Sequence, residues 1–428
     1  MTIQPLQGSL RAGQANRPLP GAASPGGLPA AAPRAADTVS FSPKARLLLA
    51  VAEMMAGAAG DQGASRRLQA GSALLTAPGG LTGAAGTAGG SLLAGGEGAS
   101  IGFGTRDFGD HADIYAGARG SEGGDVIAIA AVSTDPRPDS RAHVNIQGNG
   151  GNDTITAASN GQIMVEGGAG DDVIATAAIG SVEKALAWVE GGTGHDVIDV
   201  AGNGVAYGDA GNDVIRLHDV LQGRPRVLVG FGGEGDDIIT GDGHGGSAMG
   251  GAGNDTISGL GQVDGGAGDD VIGLSNSAYS RVTFWKTGFG HDVVTLSDPA
   301  EGIGDAAKPY FHSAQYDRAG NHIEAKPADA EGNYQGDSRN YLDVLPTEGQ
   351  AGFGLAHTVL DFRGLRAEQV ESRLDGTDLT LRVRETGDSV LVRNYQPGRV
   401  TFTFLDLAAG TMTASRQPPG LAAPAAST

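Results

Sequence analysis

The sequence predicts an all-β solenoid, a flattened coil of short strands stacked turn upon turn. Three observations carry this: one phrase recurs through the middle of the chain, its copies are about one coil apart, and each ends on a β-branched residue. The phrase reads GNGGNDTI from Gly148, GGAGDDVI from Gly167, GGTGHDVI from Gly191 and GDAGNDVI from Gly208. It continues as GGEGDDII from Gly232, GGAGNDTI from Gly250, GGAGDDVI from Gly265 and a looser TGFGHDVV from Thr287. A degenerate first copy, SEGGDVIAI, begins at Ser121.

Each position has a physical task. Glycines permit a tight turn with positive φ and leave backbone carbonyls uncovered. The aspartate stands where the turn ends, so its carboxylate can swing back toward those carbonyls. The following Ile or Val suits a short strand with a buried side chain. This predicts an interior row of Ile155, Ile174, Ile198, Ile215, Ile239, Ile257 and Ile272.

The core aspartates from Asp153 to Asp292 are separated by 19, 24, 17, 24, 18, 15 and 22 residues. A coil of two short strands and two turns needs roughly 18 residues. Each phrase therefore marks one coil, with the complete turns along a single edge. The opposite edge is expected to carry weaker turns, SNGQ at Ser159, GNGV at Gly202 and GHGGS at Gly243, and to absorb longer loops such as the one near Gly180.

Carboxylates and carbonyls are hard oxygen ligands, the set that Ca²⁺ takes at about 2.3–2.6 Å. One turn offers too few oxygens for full coordination, whereas two stacked turns suffice. The expected carboxylate ligands are Asp125, Asp153, Asp172, Asp196, Asp213, Asp237, Asp255, Asp270 and Asp292. The expected carbonyl donors are Gly168, Gly170, Gly192, Gly194, Gly211, Gly233, Gly235, Gly251, Gly253, Gly266 and Gly268. The residue just before the aspartate (Asp171, His195, Asp236, Asp269, His291) is expected to face solvent as a surface group.

These phrases closely resemble the glycine-rich nonapeptide repeat of the repeats-in-toxin (RTX) family. The resemblance covers about 150 to 180 residues and implies a parallel β-roll that folds as several Ca²⁺ ions bind. It also implies secretion to the cell exterior by a type I machinery. Family members often carry the phrase in unbroken tandem, with ions on both edges. Here it comes at about every second turn, so ions are expected mainly along one edge.

Composition agrees: 74 Gly, no Cys and a formal net charge of -20. Closely spaced aspartates repel one another until a cation arrives, so the cation-free roll should be loose. The acidity argues against nucleic acid as a partner, and the missing cysteine excludes disulfides and thiol chemistry. Residues 1–99, rich in Ala, Gly and Pro, read as largely disordered, with one short helix from Ser42 to about Gly57 that is too short to span a bilayer. The roll is expected over 100–297, with Ile101–Tyr115 starting or capping it, and a loop-rich connection over 298–350.

Residues 351–428 then show strand patterns in TVLDFRGL, DLTLRVRE, SVLVRNY and RVTFTFLDL. That order is similar to the C-terminal flank of RTX haemolysins, which implies a cap followed by a secretion signal. No enzyme motif stands out: HExxH is absent, and GASIG at Gly98 lacks a preceding apolar strand. A non-enzymatic structural, adhesive or host-interaction module is the expected role. The alternatives are a cytolysin, whose usual apolar pore-forming region the chain lacks, and a secreted enzyme of unrecognised type.

Overall fold

The computed structural model describes residues 81–86, 89–94, 100–133, 135, 137, 139–178, 185–218, 227–241, 246–274, 279–285, 288–296, 315–316, 322–323, 357–409 and 411–421. All fall within one unit, Ser42–Thr428. The helix expected from Ser42, the turn at Gly243 and most of the 298–350 connection lie outside the described residues.

The described residues begin with two antiparallel hairpins, β1 (Leu81–Gly86) with β2 (Gly89–Ala94), and β3 (Ser100–Asp107) with β4 (Ala112–Arg119). Paired strands thus start ahead of residue 100. The coils follow as β5 (Val126–Ser133), β6 (Ala142–Gly150), β7 (Thr154–Ser159), β8 (Gln162–Ala169), β9 (Val173–Ala178), β10 (Leu186–Thr193), β11 (Val197–Gly202) and β12 (Gly204–Ala210). They continue through β13 (Val214–His218), β14 (Leu228–Glu234), β15 (Ile238–Gly241), β16 (Ser247–Ala252), β17 (Thr256–Leu260), β18 (Gln262–Ala267), β19 (Val271–Leu274), β20 (Tyr279–Trp285) and β21 (His291–Thr295). Two short strands, β22 (Gln315–Tyr316) and β23 (His322–Ile323), pair only with each other. The last strands are β24 (His357–Arg363), β25 (Val370–Asp375), β26 (Asp378–Val383), β27 (Ser389–Arg393), β28 (Val400–Asp406) and β29 (Thr411–Ser415).

Odd strands from β5 to β21 stack in parallel into one sheet, and even strands from β4 to β20 into the other. This is the all-β, parallel roll expected from the repeat. Alternation along each strand sends every second side chain inward. One inner column runs Ile127, Ile155, Ile174, Ile198, Ile215, Ile239, Ile257, Ile272, each 0% exposed, and passes into Val294 and Val392. Burying each isoleucine contributes about 1.5–3 kcal/mol. The facing column shrinks through Ala206, Gly230 and Ala248. There the γ-methyls of Ile239 and Ile215 lie 3.0 and 3.4 Å from the place a Gly230 side chain would take. Small residues on one sheet make room for large ones on the other.

The C-terminal residues extend the roll before ending it. β24 and β28 add parallel strands beyond β20, and β27 adds one beyond β21; antiparallel β29, β26 and β25 then finish the two sheets. Aromatic packing replaces the aliphatic column: Phe284 stacks on Phe362 at 5.0 Å, and Phe362 on Phe404 at 5.1 Å. Beside them Asp361 is buried, with one carboxylate oxygen accepting from Arg281 Nη2 at 2.8 Å and Arg363 Nε at 3.0 Å. Trp188 packs on the outer face, tilted on Tyr207, which stacks on Phe231.

Candidate metal-binding edge

Every phrase makes the same crossing, from an even strand to the odd strand that follows. In the copies from Gly148 to Gly265 the opening residues finish the even strand, the fourth glycine and the next two residues turn the corner, and the Thr, Val or Ile after the aspartate starts the odd strand. All copies therefore line one edge. The second glycine has φ of 107° to 124° in Gly168, Gly192, Gly233, Gly251 and Gly266. The fourth has φ of 121° to 139° in Gly170, Gly194, Gly211, Gly235, Gly253 and Gly268.

The nine expected aspartates come together as one buried file. Oδ1 of each, from Asp153 to Asp292, accepts the backbone N–H of the aspartate one coil earlier, at 2.6 to 2.9 Å. The file starts at Asp125, whose Oδ2 accepts the N–H and Oγ–H of Ser121. It stops at Asp292, because the cap places Val390 beside it. Oδ2 of Asp153, Asp172, Asp196, Asp213, Asp237, Asp255 and Asp270 is buried with no hydrogen-bond partner, as is Oδ1 of Asp125.

Those oxygens face the first glycine of the phrase. A β-carbon on Gly167 would touch Asp172 Oδ2 and lie 2.6 Å from the carbonyl oxygen of Gly191 in the next coil. Gly208 repeats this with Asp213 Oδ2 and the Gly232 carbonyl. The strand ladder opens at the same point: Glu166 pairs with Glu190 and Gly168 with Gly192, while Gly167 and Gly191 are passed over. The carbonyl beside the carboxylate thus belongs to the first glycine, a position absent from the expected donors. Its signal was glycine in seven of the eight full copies, from Gly148 to Gly265. The expected donors, the second and fourth glycines, lie on the same edge and stack each on its counterpart one coil away: Gly192 on Gly168, Gly194 on Gly170.

Among the described residues no three His, Cys, Asp or Glu side chains already form a metal-holding group. Each coil brings one carboxylate to the file, so further ligands there come from backbone oxygens or water. An unpartnered carboxylate oxygen beside a glycine carbonyl fits a hard divalent cation such as Ca²⁺.

Burial controls the charge of the file. Loss of water, with some repulsion from neighbouring carboxylates, pushes Asp172 and Asp270 up to about 6. The same causes push Asp196, Asp237 and Asp255 to about 7 and Asp292 to about 9. Two ionised carboxylates one strand spacing apart (about 4.8 Å) repel by about 3–4 kcal/mol at an effective dielectric constant near 20. A raised folded-state value means that folding takes up protons when no cation is present. Stability in chelator should therefore be greatest near pH 4, fall as pH rises through 6 to 7, and fall again toward 9. Ca²⁺ affinity should rise over the same window. Thermal unfolding against pH, with and without Ca²⁺, checks both slopes; chelated protein that gains stability with pH would contradict the first.

The residue before the aspartate does more than face solvent. Asn152, Asp171, His195, Asn212, Asp236, Asn254 and Asp269 each accept the backbone N–H of the matching residue in the next coil, at 2.6 to 3.1 Å. This outer file runs opposite to the inner one. The letters differ from copy to copy, yet all eight hold Asn, Asp or His, which share an acceptor at the δ1 atom.

A scan against protein-family models finds no match, and no curated protein matches the chain. Among the described residues no helix is long and apolar enough to cross a membrane.

Proposed function

We propose that this chain is a secreted Ca²⁺-binding protein of the RTX kind, whose roll folds on meeting extracellular Ca²⁺ and serves as a structural, adhesive or host-interaction module. The observation that carries the reading is the file of buried carboxylate oxygens without hydrogen-bond partners. Oδ2 of each aspartate would hold an ion with first-glycine carbonyls, while Oδ1 keeps its bond to the preceding coil. Bound there, Ca²⁺ supplies the positive charge that the file lacks. Each filled site adds about 2.7 kcal/mol at a hundredfold excess over its dissociation constant, so several sites make folding steeply dependent on Ca²⁺. Low cytosolic Ca²⁺ would leave the chain unfolded for a type I exporter, and external Ca²⁺ near millimolar would fold it.

Circular dichroism during a Ca²⁺ titration, with Mg²⁺ as control, tests this. A cooperative gain of β-structure with Ca²⁺ alone is expected, and Asp237→Asn should shift the midpoint to higher Ca²⁺ at least several-fold. An identical response to Mg²⁺, or none to either ion, would end the folding-switch reading. Liposome leakage in Ca²⁺ separates the cytolysin alternative, for which release of contents is the required result.

A further inference from the structure

At its N-terminal end the roll holds a second group of ligating side chains, apart from the aspartate file. His111 lies in the turn after β3, Asp113 is the second residue of β4, and His143 lies on β6, where it pairs with Tyr115. His111 Nδ1 stands 2.7 Å from Asp110 Oδ1. A proton on Nδ1 makes that bond and leaves Nε2 as a lone-pair donor. That Nε2 faces Asp113 Oδ2 at 4.0 Å, and His143 Nε2 faces the same oxygen at 3.4 Å. His143 Nε2 is buried and has no hydrogen-bond partner. Asp113 is 8% exposed; its Oδ1 accepts the Arg141 N–H and its Oδ2 the Tyr115 hydroxyl. Both imidazoles are held flat, His143 against Tyr115 and His111 against Phe108.

We propose that His111, Asp113 and His143 bind one first-row transition ion of the Zn²⁺ class, with water completing the shell. Two ligand atoms at about 2.0–2.1 Å from a tetrahedral ion stand about 3.3–3.4 Å apart. The His143–Asp113 separation of 3.4 Å already matches that edge. The three do not yet form a closed set; His111, on a turn, has to approach by about 0.6 Å to reach a tetrahedral edge. The Asp110 carboxylate on its Nδ1 is the outer-shell partner that fixes a ligating imidazole. Two imidazoles with one carboxylate favour Zn²⁺ or Co²⁺ over Ca²⁺, which prefers all-oxygen shells. An ion here would tie the β3–β4 turn to β6 and so fasten the open end of the roll.

The test is a Co²⁺ titration of the full chain, with and without saturating Ca²⁺, read by visible absorption. One equivalent with tetrahedral intensity is expected, displaced by Zn²⁺ but not by Ca²⁺. His111→Gln and His143→Gln should each weaken it at least 10-fold, and Asp110→Asn should weaken it about 10-fold. No Co²⁺ binding, or binding that survives in the double histidine variant, overturns the proposal. X-ray absorption on the Zn²⁺-loaded wild type guards against a variant that misfolds: two imidazole nitrogens support the site, and an all-oxygen shell refutes it.

Discussion

Gly194→Ala is expected to destabilise the Ca²⁺-loaded roll by about 3–5 kcal/mol, the sum of backbone strain and overpacking. Gly194 has φ of 132°, beyond the left-handed region that Asn and Asp tolerate. Its added β-carbon would strike the Gly170 carbonyl and approach Asp171 N to 3.1 Å. These are backbone atoms of a hydrogen-bonded stack and have nowhere to go. The second position behaves differently. Asn149 and Asp209 occupy it in two copies, with φ of 76° and 72°. Gly192, at φ of 112° and with the Gly168 carbonyl in the way of a β-carbon, reaches that conformation only if its backbone shifts; Gly192→Asn should therefore cost about 1–3 kcal/mol, less than Gly194→Ala. Urea unfolding of both variants at fixed Ca²⁺ gives the comparison, and equal losses would mean that the two glycines do the same job.

Asp361→Ala is the second large effect, a loss of about 3–5 kcal/mol from removing one partner of a buried ion pair. The buried guanidiniums of Arg281 and Arg363 share its Oδ2, and Thr403 donates its hydroxyl to Oδ1 at 2.8 Å. These contacts bind β20, β24 and β28 side by side, where the repeat gives way to the cap. Hydrogen exchange should speed up first in those strands, with the Asp196 region protected as before. A loss below about 1 kcal/mol would place the junction's stability in the phenylalanine stack instead.

Much of this was legible because the repeat imposes its own order. The isoleucine column and the single edge of complete turns follow from phrase spacing and strand alternation, and both appear as expected. What escaped was either shared chemistry hidden by varied letters or contacts remote in sequence. Asn152, Asp171 and His195 look unlike until their δ1 atoms are compared. Arg281 and Asp361 are 80 residues apart, and no periodicity joins them. The extension of both sheets by β24 and β27 was hidden similarly: their strand pattern is plain, but a parallel partner across a long connection leaves no local mark. The ladder of Trp188, Tyr207 and Phe231 joins successive coils, so it too becomes visible only once the strands are stacked.

The two edges of the roll divide their labour unequally. From Asp172 to Asp196 the chain spends 24 residues on a coil, and from Asp255 to Asp270 only 15, yet the bond between aspartates is 2.8 Å in both. One margin is a spine of constant pitch; the strand lengths and the other margin take up the differences. Segments of unrelated sequence could thus be spliced into the slack margin, after β9 or β13 for instance, without changing the beat of the spine. A molecule built this way can vary what it shows to its surroundings while holding fixed what folds it.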